Sequence, residues 1–221
     1  MTLIEPDVAL TDFGLAVECA LFAGWLHWQA LGDSPLRRWL VVLFAALGAG
    51  ALLGGITHGF LADQQSDGYR IAWAATLISI GVAALASWAI GAHMLFGDED
   101  SRRWMLIAAG WLLGLNVATV LWVSQSFAVA VVFYVPAVAF VLAAFVLTYT
   151  RVRQPHLLAG VAGLVLSLAA AVIQQAKVGF PPLGLSHNAL YHLVQAVGLL
   201  LIFVAGRHLA GATPAAVMAR A

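Results

Sequence analysis

Residues 104–149 read WMLIAAGWLLGLNVATVLWVSQSFAVAVVFYVPAVAFVLAAFVLTY, a stretch of 46 residues without one charged side chain. A single helix of that length would extend about 69 Å, more than twice the roughly 30 Å of hydrocarbon in a bilayer. Near the middle stands Ser124-Gln125-Ser126, a short uncharged break with two small hydroxyl residues. The stretch therefore predicts two membrane-spanning helices, at 104–124 and 127–149.

Five further apolar runs of roughly 20 residues are long enough to cross a bilayer. They cover 11–31, 39–61, 70–96, 156–176 and 187–207. Most charged residues and turn formers fall between these runs, for example in Gly32-Asp33-Ser34-Pro35 and in the stretch from Arg151 to Pro155. The sequence therefore predicts an all-α membrane protein, a single seven-helix bundle over residues 1–221.

Composition agrees with this class. Hydrophobic residues make up 63% of the chain and charged residues 9%, whereas soluble domains carry about 25% charged residues. The formal net charge of zero gives no support for a nucleic-acid partner. Cys19 is the single cysteine, which excludes an intramolecular disulfide. The first twelve residues contain three acids and no basic residue, so the first run is expected to be a retained span rather than a signal peptide.

The basic residues predict the direction of the bundle, because cytoplasmic loops carry an excess of lysine and arginine. Under seven spans, eight of the ten fall on one side: Arg37, Arg38, Arg102, Arg103, Arg151, Arg153, Arg207 and Arg220. Only Arg70 and Lys177 fall on the other. The N-terminus is therefore expected outside and the C-terminus in the cytoplasm, and the absence of a targeting extension suits a bacterial inner membrane.

Histidines gather near the outer side in this arrangement. His58 falls in the last turn of span 2, and His187 and His192 open span 7 after the helix-breaking Phe180-Pro181-Pro182-Leu183-Gly184. Ionisable side chains at membrane depth are costly and commonly functional. Three imidazoles and a water would suit a catalytic zinc ion, so His58, His187 and His192 are the predicted metal ligands.

The spacing leaves the third ligand open. Positions five apart point about 140° away from each other on a regular helix, whereas Asn188 and His192, four apart, share a face. His187 reaches the same site only if Ser186 or Asn188 is the helix N-cap. A simpler alternative is that His58 and His192 form a polar pair that holds two helices together.

Glu18 is the acidic side chain that this reading places within a span, about 10 Å below the outer end of span 1. Two roles are open for it, a hydrogen-bonded structural carboxyl and a catalytic base. The remaining histidines lie at the inner ends of spans and are expected to anchor the interface: His27, His93, His156 and His208.

Seven spans, a histidine late in span 2 and the segment Asn188-Ala189-Leu190-Tyr191-His192 at the start of span 7 resemble the CREST superfamily, which includes alkaline ceramidases and the progestin and adiponectin receptors. The resemblance implies a zinc-dependent intramembrane hydrolase of lipid amides such as ceramide-like lipids. Zinc would be held by His58 and His192 with His187 or Asn188. The metal lowers the pKa of its bound water toward about 7.

The same resemblance suggests the other roles. Glu18 or Asp67 would accept the proton of the zinc-bound water. A membrane lipid from the outer leaflet would contact Gln174, Asn188 and Tyr191. Gly54 stands where the family has a serine, and span 3 begins without the family's acid. These two differences favour an alternative, a non-catalytic lipid-binding sensor of the same fold.

A third reading is a proton- or ion-linked transporter that uses Glu18, Asn116 and the histidines. It is weakened because the inner halves of the spans are nearly all apolar. Retinal binding is excluded more firmly, since the one lysine, Lys177, falls outside span 7. The sequence leaves the oligomeric state open.

Overall fold

The computed structural model describes residues 3–29 and 34–211. Seven α-helices account for most of this part of the chain. They are α1 (Pro6–Trp28), α2 (Pro35–Phe60), α3 (Asp67–Leu95), α4 (Glu99–Trp122), α5 (Phe127–Val152), α6 (Pro155–Gln175) and α7 (His187–Gly211). Within the described ranges there is no β-strand. Arg220 and the predicted end of span 1 at 30–31 lie outside the described residues.

All seven helices are long and apolar enough to cross a membrane, which confirms the predicted number of helices of this kind. The break predicted at Ser124-Gln125-Ser126 is also confirmed, because α4 ends at Trp122 and α5 begins at Phe127. Ser126 caps α5, its Oγ accepting a hydrogen bond from the backbone N–H of Ala128 at 3.3 Å. The short polar break therefore separates two helices.

The largest differences from the predicted starts are at α1 and α4. Each begins five residues earlier than predicted, α4 at Glu99 rather than 104 and α1 at Pro6 rather than near residue 11. Proline is favoured at the first position of a helix because its missing N–H would have no intrahelical partner there. The earlier start brings Asp7 into the helix and places Asp12 two turns inside it, where its side chain is buried.

Glycines let the helices approach closely. A methyl group on Gly163 would lie 2.5 Å from the carbonyl oxygen of Gly198, so α6 and α7 meet backbone to backbone. A methyl group on Gly48 of α2 would lie 3.0 Å from Cβ of Cys19 of α1. This close packing through small residues is typical of helices in lipid.

Large aromatic side chains fill the half of the bundle away from the start of α1. The rings of Phe22 and Phe203 stack in parallel with their centroids 4.2 Å apart, and Phe44 meets Phe22 edge-on. By contrast, α4 leaves Trp104, Trp111 and Trp122 exposed, each with more than two thirds of its surface uncovered. Exposed tryptophans of this kind suit a surface that faces lipid.

The segment before α7 makes a tight turn. Phe180 and Leu185 exchange two backbone hydrogen bonds around the 3-10 helix Pro181–Leu183, and Gly184 has a φ of +66°, which favours glycine. Ser186 is the N-cap of α7, since its Oγ accepts a hydrogen bond from the N–H of Ala189 at 3.3 Å. Its own N–H donates to Oδ2 of Asp7 at 2.9 Å, which fixes the start of α7 beside α1.

Candidate ligand-binding cavity

A cavity of about 280 Å³ lies among α1, α2, α3, α5, α6 and α7. Most of its wall is apolar, and its depth is lined by residues such as Leu15, Cys19, Leu47 and Leu199. Six of its hydrogen-bonding side chains come from four helices, α1, α2, α6 and α7: Asp12, His58, Gln174, Asn188, His192 and Gln195. Because α1 and α7 begin at this end of the bundle and α2 and α6 finish there, the polar groups gather at one end of the cavity.

The centre of the polar end is a carboxyl–imidazole pair. Oδ1 of Asp12 lies 3.2 Å from Nε2 of His192, and the two side chains are 6% and 10% exposed. The other ring nitrogen of His192, Nδ1, lies 3.1 Å from the hydroxyl of Thr11. Both nitrogens therefore have partners on α1, which fixes the orientation of the ring.

The carboxyl group of Asp12 has a second oxygen that His192 does not engage. Oδ2 is buried and has no hydrogen-bond partner among the described residues. It lies against α2 at Gly54, where an added methyl group would be 3.1 Å away. A buried acceptor without a partner is unfavourable, and such groups in a native site commonly await a ligand or a water.

The prediction that Glu18 is the acid within a span was therefore wrong in one respect, because Asp12 is also within α1 and is the more buried of the two. The sequence did contain a signal for it. Val8, Asp12, Leu15 and Cys19 recur at helical spacing and are all buried on one face of α1. An acid within the apolar face of a helix is the pattern that indicates a buried carboxyl group here.

His58 lines the cavity but pairs with a different acid. Its Nδ1 lies 2.9 Å from Oε2 of Glu5, whose side chain is half exposed. The ring also meets Trp73 edge-on, with centroids 6.0 Å apart. Sequence reasoning gave Glu5 no role, because a residue before the first helix has no periodic pattern to mark it.

One face of α7 supplies most of the remaining polar groups. Asn188, His192 and Gln195 follow one another at intervals of four and three residues and all line the cavity. Oδ1 of Asn188 lies 3.5 Å from Nε2 of Gln174, and Nε2 of Gln195 lies 3.3 Å from the hydroxyl of Ser167. The predicted ligand contacts Gln174, Asn188 and Tyr191 are all in the cavity wall, while Ser167 and Gln195 were missed.

Three other predicted site residues do not line this cavity: Glu18, Asp67 and His187. His187 is the first residue of α7 and lies off the face that carries Asn188 and His192, as the angular spacing of five residues requires. Asp67 is the exposed first residue of α3. Glu18 follows Asp12 by six residues, a separation that turns it away from the face of α1 that Asp12 and Cys19 share.

The donor set does not fit the predicted zinc site as it stands. A metal bound to His192 would replace the contact of one ring nitrogen with Thr11 or Asp12, since both nitrogens are engaged. Across residues 3–29 and 34–211 no group of three histidine, cysteine, aspartate or glutamate side chains is arranged to hold a metal ion. The geometry thus gives the zinc hypothesis no support of its own.

Aromatic rings form a continuous wall at the polar end. Ring contacts at centroid distances of 4.9–6.4 Å run from Tyr69 through Trp73, Phe127 and Tyr191 to His192. The indole N–H of Trp73 donates to the carbonyl of Gln125 at 2.7 Å, which ties this wall to the turn between α4 and α5. The polar groups at this end of the cavity are therefore bordered by aromatic rings.

The family model of DUF6962, described as a family of unknown function, matches residues 8–211. The chain belongs to the DUF6962 family. The match includes all of the lining residues of the cavity, from Asp12 to Leu199, while Glu5 and Asp7 precede it. The description of DUF6962 names no activity and does not link the chain to the CREST superfamily. No curated protein and no solved structure matches the chain significantly.

Proposed function

We propose that this chain is an integral membrane protein that binds a small amphiphilic, lipid-like molecule in the cavity described above. The observation that carries the proposal is the composition of that cavity, an apolar space of about 280 Å³ with hydrogen-bonding groups at one end. Ligand sites are typically concave and apolar with a few placed polar groups. The polar part of the ligand would contact Asp12, His192 and Asn188.

The apolar part of the ligand would lie along the deeper wall. Cys19 follows Asp12 by seven residues on one helix face, so it lies about 10 Å deeper in the bundle. Leu15 and Leu199 line the same depth range. A ligand with its polar end at Asp12 and its body toward Cys19 would satisfy both parts of the wall.

The distribution of basic residues supports access from the outer side. Eight of the ten lysines and arginines follow the predicted cytoplasmic ends of the spans. The polar end of the cavity is at the opposite end of the bundle, with His58 near the end of α2 and Asn188 near the start of α7. We propose the outer leaflet of a bacterial inner membrane as the source of the ligand.

The test uses neighbouring residues of α6. Ala171 lines the cavity, whereas Val172 is 66% exposed on the outside of the bundle. Ala171→Phe should fill the cavity, and Val172→Phe is the matched control. Mass spectrometry of organic extracts should find one amphiphile per chain in wild type and Val172→Phe, and much less in Ala171→Phe. Equal amounts in all three proteins, or none in wild type, would contradict the proposal.

A second candidate is the hydrolysis of a bound lipid amide, as the CREST resemblance implies. It is favoured by one observation, the presence of His58 and His192 in the wall of one cavity. It is disfavoured by the positions of Glu18, Asp67 and His187 outside that wall. The zinc ion and the hydrolase activity stay predictions.

Binding and hydrolysis are separated by the fate of a substrate. A fluorescent ceramide incubated with the purified protein should stay intact if the chain only binds lipid. The hydrolase would be selected instead if free fatty acid is released by the wild-type protein. This release should be lost in His192→Ala and in metal-free preparations of the wild type. Elemental analysis of the same preparations measures zinc per chain.

A further inference from the structure

Asp12 offers a feature that narrows the chemistry of the ligand. Its Oδ1 is held by His192, and its buried Oδ2 has no partner among the described residues. The side chain lies in the wall of the cavity beside Gly54. A ligand with hydrogen-bond donors would therefore meet an acceptor that the protein leaves unsatisfied.

The charged residues of the cavity wall limit the class of ligand further. Among the described residues that line the cavity there is no lysine and no arginine, and Asp12 is the one carboxylic acid. Inside an apolar site an anionic group placed beside a carboxyl group is disfavoured, because no water screens the repulsion. A phosphate or carboxylate headgroup would thus find no lysine or arginine in this wall, and its two histidines, His58 and His192, are each already engaged by an acid.

The aromatic wall favours a positively charged group on the ligand. Trp73, Phe127 and Tyr191 form an arc of rings that reaches His192, and all of them line the cavity. The faces of aromatic rings attract cations, and sites for ammonium groups commonly combine several such rings. A buried carboxyl group and a ring arc at the same end of a cavity are complementary to an ammonium group.

Size is the third constraint. An apolar cavity of about 150 Å³ holds a benzene molecule. The present cavity of about 280 Å³ therefore suits a molecule of roughly twice the volume of benzene. A molecule with one amine and about eight to twelve carbon atoms meets the requirement.

We propose that the cavity selects amphiphilic amines, with the ammonium group donating to Asp12 and resting against the aromatic arc, and the hydrocarbon body extending toward Cys19. This inference rests on the proposed function and specifies its ligand class. It predicts an order of affinity among molecules that share a chain and differ only at the polar end.

The experiment measures binding of radiolabelled octylamine, octanol and octanoate to the full-length protein in nanodiscs of zwitterionic lipid, with empty nanodiscs subtracted. At neutral pH the first is a cation, the second neutral and the third an anion. We expect octylamine to bind at least about tenfold more tightly than octanol, the difference typical of a hydrogen bond to a charged group. Octanoate should bind least.

Two substitutions on α1 test the role of the carboxyl group. Asp12→Asn should reduce the preference for octylamine over octanol to below about threefold while octanol still binds, which also shows that the variant is folded. Glu18→Gln makes the same chemical change outside the cavity wall and should leave the preference intact.

The outcomes separate the two proposals. If octanol binds as tightly as octylamine to wild type, the amine inference is overturned while ligand binding stands. If none of the three probes binds, the proposed function fails. A preference that survives in Asp12→Asn would also overturn the inference, because the selecting group would then lie elsewhere. The wild-type comparison is decisive even if Asp12→Asn does not fold.

Discussion

Oδ1 of Asp12 and Nε2 of His192 lie 3.2 Å apart in the interior of the bundle and join the first helix to the last. Thr11 holds the opposite ring nitrogen of His192 at 3.1 Å, so one turn of α1 engages both nitrogens of the ring. The contact does two things at once. It fixes α7 against α1, and it leaves Oδ2 of Asp12 as an unsatisfied acceptor at the cavity.

His192→Ala should destabilise the protein. It leaves the buried carboxyl group of Asp12 without its partner, and an unpaired buried polar group costs about 1–3 kcal/mol. Thr11 keeps its hydrogen bonds to the backbone carbonyls of Asp7 and Val8. Thermal unfolding in detergent, followed by circular dichroism, should show a clear decrease in the midpoint. His187→Ala is the matched control, since His187 lies off the cavity face of α7, and it should change the midpoint little. Equal effects of the two substitutions would contradict the assigned geometry.

Gly163→Ala should loosen the contact between α6 and α7. The new methyl group would lie 2.5 Å from the carbonyl oxygen of Gly198, so the helices must separate. Overpacking of this kind costs about 1–3 kcal/mol. Gly110→Ala provides the comparison, because a methyl group there meets nothing within 4 Å and alanine favours the helix. A decrease in the unfolding midpoint for Gly163→Ala alone supports the packing, and unchanged stability in Gly163→Ala would refute it.

Asn116→Leu should be neutral or stabilising. Asn116 is fully buried on α4, and neither polar atom of its side chain has a partner among the described residues. Replacing an unsatisfied buried amide with an apolar side chain of similar size removes a desolvation penalty. A loss of more than about 1 kcal/mol in unfolding free energy would show that the amide is satisfied in the native protein.

The direction of the bundle is testable by fusion. Green fluorescent protein attached after Ala221 should fluoresce when the chain is expressed in a bacterium, because the basic loops predict a cytoplasmic C-terminus. Alkaline phosphatase attached at the same position should be inactive. Active phosphatase with a dark fluorescent protein would reverse the direction and place the polar end of the cavity on the cytoplasmic side.

The number of helices followed from sequence because lipid imposes a length on each span and concentrates charge between spans. Even the weak break at Ser124-Gln125-Ser126 could be resolved, since 46 apolar residues are too many for one crossing. Helical spacing also predicted that Asn188 and His192 share a face, and both line the cavity. Span length was sufficient for the first two predictions and helical periodicity for the third.

The partners of those residues could not be obtained in the same way. Asp12 and His192 are 180 positions apart, and their contact depends on how α1 rotates against α7. The predicted helix began at 11 rather than Pro6, which put Asp12 at its N-terminal end. In the structure Asp12 lies nearly two turns inside α1, on the face of the buried Leu15 and Cys19.

The histidines show that the depth of a side chain in the bundle is easier to predict than the side chain it contacts. His58 and His192 do line one cavity, as their predicted depth suggested. Each, however, is engaged by a separate acid of the N-terminal region, Glu5 for His58 and Asp12 for His192. Sequence distance along a span gives depth, whereas the choice of partner depends on rotation about the helix axis and on side-chain packing.

The most direct measurement is an experimental structure of the protein with 8-bromooctylamine, in which anomalous scattering locates the bromine atom. The bromine should lie in the depth of the cavity near Cys19 and Leu199, with the amine density at Oδ2 of Asp12. Bromine found only on the lipid-facing surface, for example along Trp111 and Trp122 of α4, with an empty cavity at Asp12, would contradict the account.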